Sequence, residues 1–107
     1  MTNAEFQECR TELERHCSTL LIRKEDEYAS DNDRLANFKV AGALQGITSA
    51  RALTGFMAKQ EVSIHMMVDE MHDKNFTYDQ WIEKIGDVRN YCDLLWAVIT
   101  EHCKENA

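Results

Sequence analysis

Two acidic clusters have the residue types and spacing to hold a divalent cation. Glu61, His65, Asp69 and His72 recur at intervals of four, four and three. On a helix such residues share one flank, where carboxylate and imidazole on adjacent turns converge on a metal. Further along, Glu83, Asp87 and Asn90 line one side of a second helical stretch, with Tyr91 and Leu94 beside them. Glu and Asp one turn apart suffice for Mg2+, which keeps several waters and takes only one or two protein carboxylates. Each cluster also has a plainer reading as a solvated helix face, and Glu83 gains from the field of a helix N-terminus. A third feature is Lys24, which falls inside an apolar stripe between Leu20 and Tyr28. Either its stem carries the ammonium out to water, or it reaches a carboxylate or ligand phosphate where Glu27, Tyr28, Asp33 and Asn37 crowd together.

The four cysteines are Cys9, Cys17, Cys92 and Cys103. They include no CxxC pair and no zinc-finger spacing. If the first and last helices ran antiparallel, Cys9 would approach Cys103 and Cys17 would approach Cys92, with His16 and His102 nearby. That arrangement suggests zinc; the competing reading is reduced thiols, three of them on apolar stripes as small hydrophobes. Nucleophilic catalysis has no GxSxG, and phosphate binding no P-loop glycine pattern.

Four helices must position these groups. The first runs from Asn3 to Tyr28, opened by a Thr2/Glu5 capping box, with Phe6, Cys9, Leu13, Cys17, Leu20, Leu21 and Tyr28 as its stripe. Ser30-Asp31-Asn32-Asp33 breaks the pattern. A short helix follows from Arg34 to Gln45, capped by Asp33 or Asp31 and closed by Gly46. The third runs from Ser49 to Asp73 behind Thr48, with Leu53, Phe56, Met57, Ile64, Met67, Val68 and Met71 on one face. Within it, Gly55 marks a close helix approach or simply weakens the first turn. The fourth starts after Thr77, in a capping box with Gln80, and runs to Lys104. Its main stripe is Trp81, Ile85, Val88, Cys92, Leu95, Trp96 and Ile99; Tyr91, Leu94 and Val98 form a second. A helix apolar on two sides is buried on two sides, and the second stripe is expected to meet another subunit, giving a homo-oligomer through helix four. The fold class is therefore all-α: a single domain over residues 1–107, an antiparallel helical bundle of three long helices and one short one.

Size and charge narrow the partners. The 107 residues carry 44% apolar and 29% charged residues and no proline, a globular helical composition. The net charge of −7 argues against direct nucleic-acid binding and against an anionic membrane surface. It allows a nucleotide ligand held through a metal, or an acidic protein that occupies a basic surface on a partner. The opening residues lack the apolar stretch of a signal peptide, and no window is long enough to span a membrane, so the expected compartment is the cytoplasm.

Several runs carry a family likeness. Leu20 to Tyr28 reads LLIRKEDEY and is followed by Asp33-Arg34-Leu35-Ala36-Asn37-Phe38. Later come Lys59-Gln60-Glu61, Glu83-Lys84-Ile85-Gly86-Asp87 and Asn90-Tyr91. From Leu20 to about Leu95 the chain resembles a group of small phage-encoded helical proteins. The group is similar to families labelled nucleotide-modification associated and, more distantly, to nucleoside triphosphate pyrophosphohydrolases of the MazG and dimeric dUTPase type. Those hold Mg2+ with Glu-Glu-x-x-Glu on one helix and Glu-x-x-Asp on another. Here helix three offers only Glu61, then His65 and Asp69, and Glu83 and Asp87 are spaced by four. The resemblance implies nucleotide binding or hydrolysis, with Mg2+ on Glu61, His65, Glu83 and Asp87 and a phosphate at Lys24. Tyr28, Asn37, Lys59, Asn90 and Tyr91 would surround the ligand. The alternative expectation is a non-enzymatic acidic protein that inhibits a host nuclease or defence system, in the manner of an anti-CRISPR.

Overall fold

Threonine side chains open three of the four helices. In the computed structural model, which describes residues 1–28 and 33–107 and the side chains of residues 1–23 and 33–107, α1 spans Asn3–Tyr28. Its first turn is closed by Thr2, whose Oγ1 accepts from the Glu5 N–H at 3.1 Å while Glu5 Oε1 accepts from the Thr2 N–H at 3.3 Å. The second helix, α2, covers Ala36–Gln45 and ends at Gly46, whose φ of 68° is the left-handed conformation that glycine adopts without strain. Thr48 caps α3, Ser49–Glu70, by accepting from the Arg51 N–H at 3.1 Å. Thr77 and Gln80 form the reciprocal box that starts α4, Tyr78–Glu105, at 3.1 and 2.8 Å. Such a cap stabilises a helix by about 1 kcal/mol, because it satisfies amides that the helix itself leaves unpaired.

The boundaries differ from expectation at two ends. α2 begins at Ala36 rather than Arg34, because Asp33 Oδ1 takes the Leu35 N–H at 3.0 Å and holds a turn there. α3 stops at Glu70 rather than Asp73, where the Asp73 and Lys74 amides both fold back on the Glu70 carbonyl.

α2 and α3 pack antiparallel, as do α3 and α4. Phe38 meets Phe56 edge-on with ring centroids 6.3 Å apart, and Phe76 meets Trp81 at 5.6 Å. Their core is Leu35, Phe38, Leu53 and Val98, with Ala50, Tyr91, Leu94, Leu95 and Ala97 packed against it. Leu53 is 0% exposed; burying such a side chain contributes roughly 1.5–3 kcal/mol. The all-α bundle of three long helices and one short one is thus what the chain forms, with α1 as its one parallel neighbour. Glu12 reaches Tyr78, Glu14 pairs with Arg89 at 3.1 Å, and Cys17 Sγ donates to the Gly86 carbonyl at 3.6 Å. The two helices therefore climb together along this seam. Gly86 makes it possible: a Cβ there would stand 2.9 Å from His16 Cδ2 and 3.4 Å from Cys17 Sγ. Gly55, by contrast, has nothing within 4 Å of where its Cβ would be, so the close approach lies on α4.

The parallel seam sets Cys9 beside the start of α4, far from Cys103 at its end, so the zinc arrangement drawn for antiparallel helices does not form. All four cysteines are free; only Cys17 is buried, and burial raises its thiol pKa. The apolar roles on α4 differ from those read from the sequence, although Leu95 of the main stripe does pack against the core. The Tyr91, Leu94 and Val98 stripe, expected to meet a partner, packs in the core. Ile85, Cys92, Trp96 and Ile99, expected in the core, are exposed. On α3, Leu53 and Met67 are buried while Phe56, Val68 and Met71 stay open. Among the described residues no helix is long and apolar enough to cross a membrane.

Candidate ligand-binding site

A cavity of about 250 Å³ lies among α1, α2, α3 and α4. Its apolar wall is Leu21 of α1, Phe38 of α2, Phe56 of α3, and Tyr91 and Leu94 of α4. Phe56 is on the core-facing side of α3, yet it is 44% exposed because it forms this wall. The polar lining is Arg34, Asn37, Gln60, Asp87 and Asn90. Sequence local to each element explains the placement. Gln60 follows Leu53 by seven residues and precedes Met67 by seven, so it sits on the buried stripe of α3 as its polar member. Asn90 lies one turn beyond Gly86, on the side of α4 turned toward α1.

Two of these side chains carry an oxygen with no hydrogen-bond partner among the described residues. Asn90 Oδ1 and Gln60 Oε1 are both buried and unpaired, and Asn90 as a whole is 6% exposed. An unpaired buried acceptor costs about 1–3 kcal/mol, and native chains rarely carry one without a use for it. Both belong to carboxamides, which present an acceptor and a donor side by side. Arg34, half-buried, has no ion pair with any described residue and is the positive charge in the cavity's described lining.

The residues singled out from the sequence divide accordingly. Asn37, Asp87, Asn90 and Tyr91 converge here. Lys59 is exposed, one helical step of 100° from Gln60. Glu61 and His65 are exposed on α3, and Glu83 lines a separate shallow groove with Ser63, Met66 and Glu70. Among the described residues no three His, Cys, Asp or Glu side chains gather closely enough to hold a metal ion. Glu61, His65, Glu83 and Asp87 therefore do not come together as a quartet. Lys24 and Tyr28 lie outside the described side chains. Arg34 and Gln60 were inside the runs that carried the family likeness but were passed over for their neighbours. Gln60 had a signal: a polar residue in register with Leu53 and Met67.

No protein-family model, curated protein or solved structure matches this chain.

Proposed function

We propose that the chain binds a nucleoside or nucleoside monophosphate in the cavity between α2, α3 and α4. The observation that carries this is the pair of carboxamides with unpaired buried oxygens, Gln60 and Asn90, set among aromatic walls. Carboxamides read the donor–acceptor edge of a base, and Phe and Tyr rings offer it stacking faces. Arg34 in the lining suits a phosphate. The volume, just under the ~300–1,000 Å³ of drug-sized sites, suits one ring system with its sugar rather than a whole triphosphate. The reading is of binding. Asp87 is the one carboxylate in the cavity's described lining, so Mg2+ would arrive with the ligand's phosphate and contribute there.

Calorimetric titration with the four common deoxynucleosides and their monophosphates, with and without Mg2+, tests it. One base is expected to bind. Gln60→Leu and Asn90→Leu should each weaken that binding about tenfold, the ~1.4 kcal/mol of a hydrogen bond to a buried partner. Arg34→Ala should weaken the monophosphate and spare the nucleoside. Absence of binding by all eight at about 1 mM, a free energy of only ~4 kcal/mol, would rule the reading out.

A further inference from the structure

α4 is packed on two of its three sides. Gly86 meets His16 and Cys17 of α1, and Tyr91, Leu94 and Val98 join the cluster of Leu35, Phe38 and Leu53. Among the described residues the third side is open and carries Ile85, Val88, Cys92 and Ile99, with Leu95 at its border with the core; their alternating intervals of three and four are the seam spacing of a coiled coil. None of these residues is charged. Ile85 and Ile99 are 42% and 37% exposed, and Trp96 beside them is 71% exposed.

The chain as a whole also exposes more surface than a compact monomer, with open apolar side chains on every helix and this face of α4 among them. Its accessible area is 7993 Å². A folded monomer of 12.4 kDa exposes about 6,100 Å², which leaves an excess of about 1,900 Å². The radius of gyration is 16.2 Å, against about 13 Å for a compact domain of this length. Obligate homodimers bury about 1,000–2,500 Å² on each partner, so the excess is of the size one such interface removes.

The stripe also has the symmetry that a second copy requires. Cys92 stands at the middle of α4, which runs from Tyr78 to Glu105. Ile85 and Ile99 lie seven residues to either side of it, and Val88 and Trp96 lie four to either side. A two-fold interface demands that when residue i meets j, j also meets i. An antiparallel pair of α4 helices centred on Cys92 satisfies this, with Ile85 against Ile99 of the partner subunit and Val88 against Trp96 of the partner subunit.

We propose that the chain is a homodimer whose two-fold axis passes through Cys92 on this face of α4. Asn90 and Asp87 point to other sides of the helix, so the dimer leaves the ligand cavity open and stands independently of the ligand proposed for it.

Sedimentation equilibrium of the whole chain tests it at about 100 μM, well above a ~1 μM dissociation constant. The expected mass is twice that of the chain. Trp96→Glu should halve it while leaving the helical circular dichroism unchanged, because Trp96 is exposed in the single chain. Leu44→Glu, at an exposed position on α2, should leave the dimer intact. In a Cys9→Ser/Cys103→Ser background, mild oxidation should join Cys92 to its copy. A monomeric wild type overturns the proposal. A dimer that survives Trp96→Glu and dissociates with Leu44→Glu overturns it in favour of another surface.

Discussion

Gly86 and Gly55 are two glycines inside long helices, and they do opposite things. Gly86 lets α1 reach the α4 backbone, with His16 and Cys17 occupying the volume a side chain would need. Gly55 touches nothing and only loosens the first turns of α3. A β-branched residue at position 86 must push the half-buried His16 ring and the buried Cys17 aside. Gly86→Val is expected to cost about 1–3 kcal/mol, the usual range for overpacking. Gly55→Ala, on a helical backbone with open space, is expected to stabilise by about 0.4–1 kcal/mol. Urea denaturation of the two variants checks both signs. No local signal separated these glycines, since each lies within the first three turns of a capped helix. What distinguishes them is whether another helix passes over that turn, a fact of tertiary packing.

At the scale of elements, what could be read in advance was local. Thr2 with Glu5, Thr48, and Thr77 with Gln80 act within one turn, so their caps were legible from adjacent residues. The stripes on α4 were equally visible, but not which of them faces inward. Leu35, Phe38 and Leu53, which claim the Tyr91, Leu94 and Val98 side, are distant in sequence. The site followed the same rule: Asn37, Asp87, Asn90 and Tyr91 were named, while Gln60 was missed because the phase of α3 decides between it and Lys59. One tie between elements is electrostatic. Lys39 Nζ lies 2.6 Å from both Asp33 Oδ2 and Glu101 Oε1, joining the start of α2 to the last turns of α4. The hydrogen bond from Lys39, and then the one from the Leu35 N–H, hold the Asp33 carboxyl below its usual range. The same carboxylates push Lys39 upward. Asp33 therefore contributes above the ordinary carboxylate range, and its contribution fades as pH falls through the lowered value. On the alkaline side the same tie holds until Lys39 itself loses its proton, in strong alkali. Thermal melts of Lys39→Met should show a shallower loss of stability on acidification than wild type. The difference should shrink in high salt, because the groups are exposed. Superimposable acid limbs would count against the tie.

The whole molecule is uneven in how firmly it is held. α2, α3 and α4 share one core, whereas α1, 26 residues long, buries only Cys17 among its described side chains. Its hold on the rest, among the described side chains, is the parallel seam around Gly86, the half-buried Leu13, Leu20 and Leu21, and a few exposed contacts such as Glu14 with Arg89. A segment with so little buried apolar surface opens at lower free energy than the core. In hydrogen–deuterium exchange, the amides of α1 should exchange through local opening while the middles of α3 and α4 wait for global unfolding. Leu21 gives that opening a use, because it is the wall that α1 contributes to the cavity. A bound nucleoside would then slow exchange across α1 without touching most of it. Under the proposed binding, the first helix would act as a door that the ligand latches.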